Sequence, residues 1–319
     1  MRIAIFGGTG FVGSYLVDAL VENDMHPVLL VRPGHEHRVR HIDRCTLVNG
    51  TIDDDAAINR ILEQVDAVIY NIGILREFPS RGITFQKLQQ DAACRIIDKA
   101  AAHGIHRFLL MSANGVDDAM TSYQKTKWEA ERHLIASGMD WTIFRPSVIF
   151  GDPRERSEFA SQLHDDIIAS SLPAPLFYQG IVPHAAGGFE LSPIHVRDVA
   201  QAFVTALLWP TTIGQILDLG GPENLTWREI LSTIATAVGR QKLMLPVPAF
   251  GVSTAAALLD RFESFPVTRD QLSMLLRGNT CSSAALSRLG ITPTRFSAES
   301  LQYLNNANPE SNSWHQNAA

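Results

Sequence analysis

A glycine-rich turn within the first fifteen residues constrains the fold of this chain more than any other feature. Its sequence is Gly7-Gly8-Thr9-Gly10-Phe11-Val12-Gly13, between the apolar run Ile3–Phe6 and a helical pattern from about Phe11 to Glu22. Gly7 suits a tight turn, Gly10 lets a pyrophosphate approach the backbone, and Gly13 lets helix and strand pack closely. Because the helix N-terminus then directs its N–H groups at the phosphates, the turn predicts a dinucleotide-binding site.

Strand and helix patterns alternate through the first 150 residues. The strand candidates are continuous apolar runs, at Ile3–Phe6, Pro27–Val31, Thr46–Val48, Ala67–Tyr70, Phe108–Met111 and Trp141–Phe144. Helical spacing lies between them, at 11–22, 56–64, 85–103 and 123–136. Continuous apolar runs are typical of parallel strands buried on both faces. The pattern predicts an α/β fold with a doubly wound parallel (Rossmann) sheet.

The remaining residues predict a second, smaller part. We expect residues 1–150 to form an NAD(P)-binding Rossmann domain and residues 191–219 to return to it. Residues 151–190 have no clear period, and 220–304 contain mostly short helices, so both are expected in a smaller, mainly helical C-terminal substrate subdomain that caps the sheet. Residues 305–319 form a polar tail. The apolar stretch Pro246 to Leu259 favours a core helix, with an interfacial helix as the alternative.

Composition excludes several classes of function. The net charge is −6 without a block of like charges, which argues against a nucleic-acid partner. No stretch approaches the roughly 20 apolar residues of a membrane span, and the N-terminus leaves no room for a signal peptide. The histidines and the three scattered cysteines lack the spacing of a metal site or a disulfide framework. We therefore expect a soluble cytoplasmic protein without a metal.

Arg32 follows the second predicted strand, 19 residues after Gly13. An NAD binder usually carries an acid there for the ribose 2′-hydroxyl, whereas a guanidinium suits a 2′-phosphate. Glu36 is the first acid after it and falls in the following loop. The position predicts NADP(H) rather than NAD(H), and Arg38 either adds charge or is a solvated loop residue.

Ser112, Tyr123 and Lys127 form a candidate catalytic set. Ser112 follows the predicted strand ending at Met111, and Tyr123 and Lys127 have the spacing that places them on one face of a helix. An ammonium beside a phenol favours the phenolate, so we expect Lys127 to lower the pKa of Tyr123 and to hold the nicotinamide ribose. The Ser112 hydroxyl would orient a carbonyl.

These residues together resemble the short-chain dehydrogenase/reductase superfamily in its extended and atypical branch. The resemblance covers roughly residues 1–304, through the glycine turn, Asn71-Ile72-Gly73, Ser112, Tyr123/Lys127, 145–151 and 194–200. Later segments, at 219–223, 267–272 and 289–294, look like the NADPH-binding accessory subunit of respiratory complex I and its free-standing bacterial relatives.

The resemblance implies further cofactor contacts. They are Thr9, Phe11 and Val12 at the phosphates, Ile52 and Asp53 at the adenine, Asn71 and Gly73 near the ribose, and Pro146 and Val148 at the nicotinamide. Thr51 stands where the family often has Asp after a glycine such as Gly50, so adenine recognition there departs from the pattern. Ser147 and Val148 replace an Asn common in nucleotide-sugar epimerases, which argues against such a substrate.

Three functions follow from these expectations. The first is an NADP(H)-dependent oxidoreductase acting on a small carbonyl or alcohol. Leu172, Leu176, Phe177 and Ile181 hint that this substrate is hydrophobic. The second is a non-catalytic NADPH-binding accessory or assembly protein, with association to a respiratory complex or the membrane surface. The third is a nucleotide-sugar epimerase or dehydratase. The oligomeric state is left open.

Overall fold

A computed structural model describes residues 1–118, 121–180, 182–249 and 269–306. In chain order its strands are β1 (Arg2–Phe6), β2 (His26–Val31), β3 (Thr46–Asn49), β4 (Ala67–Tyr70), β5 (Arg107–Met111), β6 (Asp140–Pro146), β7 (Ile149–Phe150), β8 (Ala174–Tyr178), β9 (Glu190–Leu191), β10 (Ile194–His195), β11 (Gln215–Leu219), β12 (Leu225–Thr226) and β13 (Met244–Pro248). Its helices are α1 (Phe11–Glu22), α2 (Asp55–Leu62), α3 (Ala92–Ala102), α4 (Ser122–Ala136), α5 (Phe159–Leu163), α6 (Val196–Leu208), α7 (Trp227–Ala237), α8 (Arg269–Arg277) and α9 (Ala284–Arg288). Gln86–Asp91 and His164–Ile168 are π-helical segments that run into or out of α-helices.

The first of two compact units contains Met1–Pro146, Val196–Leu219 and Ala284–Thr292. Its sheet has the strand order β3-β2-β1-β4-β5-β6-β11, with parallel pairing throughout. The chain winds outward from β1 in one direction and then from β4 in the other, so the order reverses between these two strands. Ligands of doubly wound sheets bind outside the carboxyl ends of the strands at such a reversal.

The core of the first unit explains why its strands are continuous apolar runs. On one face, Phe6, Tyr70, Phe108 and Ile143 pack with the apolar sides of α2, α3 and α4. On the other face α1 and α6 pack together, and Phe203 of α6 stacks on Phe144 of β6 with ring centroids 4.0 Å apart. Because helices cover both faces, the polar groups at the strand ends are the part of the sheet available to a ligand.

The second unit contains Ser147–His195, Gly220–Ser283 and Pro293–Ala319. Its described residues form three two-stranded sheets: β7 with β10, β9 with β12, and β8 with β13. Trp227 is buried at the start of α7 and donates from its indole nitrogen to the Pro175 carbonyl oxygen at 2.9 Å. The apolar core of the second unit contains Trp227 together with Phe150, Ile230 and Phe296.

Several elements of the second part differ from the sequence-based expectation. Residues 151–190, expected to be irregular, contain α5 and β8. The segment Pro246–Pro248, expected to begin a core helix, belongs to β13, which pairs in parallel with β8. Two prolines are compatible with this strand because it has β8 as its neighbour and an edge that needs no donors. Residues 284–292, expected in the cap, belong to the first unit because α9 packs against β11.

The apolar residues taken as a hint of a hydrophobic substrate have another role. Leu176 and Phe177 are buried on β8 in the core of the second unit, and Leu172 is 71% exposed. They therefore give no support for a hydrophobic ligand. Ile181, residues 250–259 of the apolar stretch after Pro246, residues 267 and 268, and the tail from 307 onward lie outside the described residues. In the part of the chain that is described, no helix combines the length and apolar content that crossing a membrane requires.

Candidate functional site

The turn between β1 and α1 requires glycine at two positions. Gly7 has a φ of +96°, and a Cβ there would lie 2.9 Å from the carbonyl atoms of Asn71. A Cβ on Gly13 would lie 2.0 Å from the Gly7 oxygen, so any side chain would push α1 away from β1. Gly10 precedes α1 as its N-cap and contributes no side chain that could bond to the first-turn N–H groups. The turn therefore presents the backbone donors of the first helical turn at the carboxyl edge of the sheet.

Thr9, Phe11 and Val12 are half-buried around this turn, and Gly10 is exposed. Asn71 directly follows the neighbouring strand β4, and its backbone nitrogen donates to the Phe6 oxygen at 2.9 Å. This bond continues the β1–β4 pairing beyond the strands and holds the 71–73 segment beside the glycine turn. The structure thus brings the predicted phosphate-contacting residues and the Asn71–Gly73 segment to one edge.

Lys127 lies on α4 and reaches the same edge. Its Nζ donates to the Met111 oxygen at 2.9 Å and to the Ile72 oxygen at 3.3 Å. A Cβ on Gly73 would lie 3.4 Å from this nitrogen. Burial lowers the pKa of the ammonium to about 8, although Glu131 acts in the opposite direction. Lys127 is thus a buried cation that donates hydrogen bonds to the backbone at the end of β5 and just after β4.

Ser112 directly follows β5, and its backbone nitrogen donates to the Phe144 oxygen at 2.8 Å. Its side chain is buried, and its Oγ has no hydrogen-bond partner among the described residues. Burying a hydroxyl without a hydrogen-bond partner lowers the stability of the folded protein. Such a group therefore indicates a site for a ligand or a water molecule.

Tyr123 lies one helical turn before Lys127, with its ring edge-on to Phe85 at a centroid distance of 5.6 Å. Burial raises the pKa of its hydroxyl to about 12. The expectation that Lys127 lowers this pKa is therefore wrong for the protein by itself. The physical reason is that the Lys127 ammonium is held by two carbonyl groups while apolar surroundings disfavour the phenolate.

Arg32 follows β2 and is exposed. Partial desolvation, and then the positive charge of Arg38, lower the pKa of its guanidinium. The pKa of His35 is also lowered, by burial first and then by Arg32 and Arg38. Arg32 forms no ion pair with a carboxylate of the described residues. Positive groups thus converge after β2, where an anion would relieve their repulsion.

Ile52 and Asp53 follow β3. Ile52 is partly buried against the core, and its carbonyl oxygen accepts from Arg95. The Asp53 carboxylate is exposed and pairs with Lys87 Nζ at 2.7 Å. Asp54, the next residue, caps α2 by accepting from the Ala56 and Ala57 nitrogens. The structure gives Asp53 a cationic partner, so its side chain is not a free acceptor.

Pro146 and Val148 fall in different units. Pro146 ends β6 in the first unit, is buried, and accepts a hydrogen bond from the Asn114 nitrogen at 2.9 Å. Val148 lies in the second unit, where its oxygen accepts from the Ile194 nitrogen at 2.9 Å. Pro146 therefore lies on the sheet that carries the glycine turn, and Val148 does not.

Sequence reasoning missed two charged residues next to this set. Glu131, four residues after Lys127, is fully buried, and Arg145 at the end of β6 bonds to both of its carboxylate oxygens. The helical spacing of Tyr123, Lys127 and Glu131 was a signal that could have identified Glu131. Nothing in the sequence marks Arg145 as its partner.

The arrangement fits a dinucleotide cofactor. A side chain would not fit at the glycine positions beside the first-turn N–H groups, and the partnerless Ser112 hydroxyl lies next to the carbonyl that holds Lys127. Backbone donors suit phosphates, and an ammonium suits ribose hydroxyls. No three His, Cys, Asp or Glu side chains converge as metal ligands in the portions described.

Sequence comparison gives relatives over most of the chain. The sequence model of a family described as NAD(P)H-binding matches residues 7–171. A ceramide reductase of Caulobacter vibrioides is 26% identical over 267 residues, 83% of this chain and 80% of that protein. A mitochondrial protein of Dictyostelium discoideum, NADH dehydrogenase [ubiquinone] 1 alpha subcomplex subunit 9, is 25% identical over 301 residues, 91% of this chain and 80% of that protein.

Structure comparison gives the same fold. The UDP-glucose 4-epimerase of Thermus thermophilus, solved in complex with NAD, superposes with a TM-score of 0.70. The match covers 100% of both chains at 16% sequence identity. At this identity the likeness concerns the fold alone.

Proposed function

The chain belongs to the NAD(P)H-binding family within the extended short-chain dehydrogenase/reductase superfamily, and from that premise we propose that it is an NADP(H)-dependent reductase of carbonyl compounds. Relatives named as reductases and epimerases support an oxidoreductase-type enzyme. One observation carries the proposal: the Lys127 ammonium is held on the carbonyl of Met111, directly before Ser112, whose buried hydroxyl has no partner among the described residues.

Each of the three residues has a role in this proposal. When bound, NADP(H) supplies the hydride that passes between the nicotinamide and the substrate carbon. The Ser112 hydroxyl donates a hydrogen bond to the substrate oxygen and orients it. The Tyr123 hydroxyl transfers its proton to that oxygen as negative charge develops there. Lys127 holds the nicotinamide ribose with the one N–H donor that the Ile72 and Met111 carbonyls leave available.

The ionisation of Tyr123 favours the reducing direction. With a pKa raised to about 12, the hydroxyl is protonated at neutral pH and can serve as an acid. Oxidation of an alcohol needs the phenolate as base, which is scarce at neutral pH. We therefore propose that the chain is primarily a reductase, with alcohol oxidation increasing at alkaline pH.

The positive cluster after β2 supports NADP(H) over NAD(H). Partial desolvation, and then the charge of Arg38, lower the pKa of the Arg32 guanidinium, and a 2′-phosphate would offset that charge repulsion. Solved structures of the same fold contain NAD, but at 16% and 18% identity they concern the fold alone. The proposed preference for NADP(H) therefore rests on the residues of this chain. We propose a cytoplasmic location, since Cys45 and Cys94 form no disulfide among the described residues, as a reducing compartment allows.

A second candidate function is supported by one comparison. The similarity to a complex I subunit extends over 91% of the chain, more than the similarity to the ceramide reductase. On this alternative the chain binds NADPH as a structural element and associates with a respiratory complex instead of turning over substrate.

Turnover distinguishes the two functions. NADPH oxidation, followed by absorbance, is measured with a panel of aldehydes, ketones and quinones for wild type and Tyr123→Phe. For the reductase we expect turnover that falls by about 100- to 10,000-fold in Tyr123→Phe because its general acid is removed. NADPH affinity should change by less than about threefold, because the phenyl ring retains the packing on Phe85. Tight NADPH binding without turnover on any compound would support the accessory function instead.

A further inference from the structure

One face of α4 carries three polar groups at intervals of four residues. Tyr123, Lys127 and Glu131 therefore lie along the same side of the helix. The first two belong to the proposed catalytic set, whereas Glu131 is 0% exposed. A buried carboxylate is costly unless it is paired, so its position next to Lys127 needs a physical explanation.

Arg145 fixes the Glu131 carboxylate from β6. Its Nε lies 3.0 Å from Oε1 and its Nη2 lies 2.7 Å from Oε2, a bidentate pair. The guanidinium is itself buried, packs over the Trp128 ring at 5.5 Å, and uses Nη1 to contact Asp117 at 3.0 Å. Two contacts within a buried pair leave the carboxylate little freedom to rotate away from the helix face it shares with Lys127.

The charge of Glu131 acts on Lys127 without direct contact. Glu131 raises the pKa of the ammonium, whereas burial lowers it to a net value of about 8. The other groups around this nitrogen are the uncharged carbonyls of Ile72 and Met111 and, one turn away, the neutral Tyr123 hydroxyl. The charges of Asp117 and Asp218 act on Arg145, and neither acts on Lys127.

Two apolar side chains in place of Glu131 and Arg145 would give the folded protein similar or greater stability, because the cost of desolvating two charges offsets much of their electrostatic attraction. Stability alone therefore does not explain Glu131. We propose that Glu131, oriented by Arg145, is a positioning residue that keeps the Lys127 ammonium charged and directed at the carboxyl edge of the sheet. This inference rests on the proposed function, in which that ammonium holds the cofactor ribose.

The test is NADPH binding, measured by fluorescence titration between about pH 6 and 9.5 for wild type, Glu131→Gln and Asp117→Asn. In wild type, affinity should fall as pH rises through about 8, where Lys127 loses its proton. In Glu131→Gln this fall should occur about one pH unit lower, so that binding at about pH 7.5 is about threefold weaker but binding at about pH 6 is within about twofold of wild type.

Asp117→Asn is the matched control. It removes a carboxylate from the same guanidinium, but its side chain is 57% exposed and it does not act on Lys127. Its pH profile should follow wild type. Titration of His35 or of the cofactor phosphate affects all three proteins equally and leaves their difference unchanged.

A double variant covers the case in which Glu131→Gln does not fold. Glu131→Leu with Arg145→Met replaces the ion pair by apolar groups, which buried pairs generally tolerate. It should bind NADPH with the same lowered pH profile as Glu131→Gln. Identical profiles in all variants, or a loss of affinity that is equal at the acidic and neutral ends of the titration, would overturn the positioning role. If wild type binds no NADPH at any pH, the proposed function itself fails.

Discussion

Among single residues, Arg32 carries the most specific claim about the cofactor. It is exposed after β2, it feels the charge of Arg38, and it has no carboxylate partner in the described part of the chain. An unneutralised guanidinium next to another cation is a binding site for a phosphate dianion. The preference for NADP(H) therefore depends on this position.

Replacing Arg32 by alanine should weaken NADPH binding by about 10- to 100-fold, the effect of losing charge-assisted hydrogen bonds. NADH affinity should change by less than about twofold, because NADH has no 2′-phosphate. The measurement is a pair of fluorescence titrations, one with each cofactor. Arg40→Ala is the matched control, since Arg40 is an exposed arginine of the same loop that already pairs with Asp18 at 2.9 Å. Equal losses for both cofactors in Arg32→Ala would contradict the assignment.

Residue-scale prediction from the sequence succeeded where identity alone specifies the role and failed where environment decides. The role of Gly13 in close helix–strand packing can be inferred from its spacing, and the structure agrees, since any Cβ there would clash with the Gly7 oxygen. The pKa of Tyr123 could not be inferred, because its direction depends on burial and on the carbonyls that hold Lys127. The Glu131–Arg145 pair joins a helix to a strand, and the sequence contains no local sign of that contact.

At the scale of elements, α5 in the second unit begins at an unusual N-cap, a buried glutamate. Glu158 is the N-cap, is 4% exposed, and accepts from the Ala160 and Ser161 nitrogens and from the Tyr303 hydroxyl at 3.1 Å. Burial nevertheless raises the pKa of its carboxyl to about 7, against the opposing effect of these hydrogen bonds. The cap thus titrates near neutral pH.

This cap should make stability depend on pH. Because the folded-state pKa is higher than the value of 4.5 in the unfolded chain, the folded state binds more protons between pH 4.5 and about 7. The free energy of unfolding should therefore decrease by up to about 3 kcal/mol as pH rises from 4.5 through about 7 and stay low above it. In Glu158→Gln, which cannot ionise, urea unfolding followed by tryptophan fluorescence should show a correspondingly smaller decrease between about pH 5 and 8.

Glu229→Gln is the control for this measurement. Glu229 completes the capping box of α7, where hydrogen bonds from Thr226 lower its pKa, so its contribution is already present at about pH 5. This variant should keep the wild-type change in stability across the same pH range. The cap argument fails if Glu158→Gln keeps that change too.

Elements of the first unit could be predicted from the sequence, and several of the second could not. β1, α1, β4 and α4 lie within a residue of the expected bounds, because strands buried on both faces are uninterrupted apolar runs and the helices between them keep a helical period. β13 was missed because its two prolines argue against a strand, and only the pairing with β8 makes this segment one. Short strands of two residues, such as β7 and β9, depend on tertiary contacts and have no period to detect.

For the whole molecule, the central feature is the reversal of strand order between β1 and β4 in the first unit. It brings the glycine turn, the Asn71–Gly73 segment and the Lys127 ammonium to one edge of a single sheet. The second unit has its own core around Trp227. The cofactor claim therefore depends on residues of the first unit, except for Val148.

The central claim is that this edge binds NADP(H), and the most direct measurement is a fluorescence titration of the 319-residue chain with NADPH and, separately, with NADH. We predict saturable binding of NADPH, with a Kd at least about tenfold below that for NADH, as a charge-assisted contact to the 2′-phosphate requires. Absence of NADPH binding, or a lower Kd for NADH, would contradict the claim.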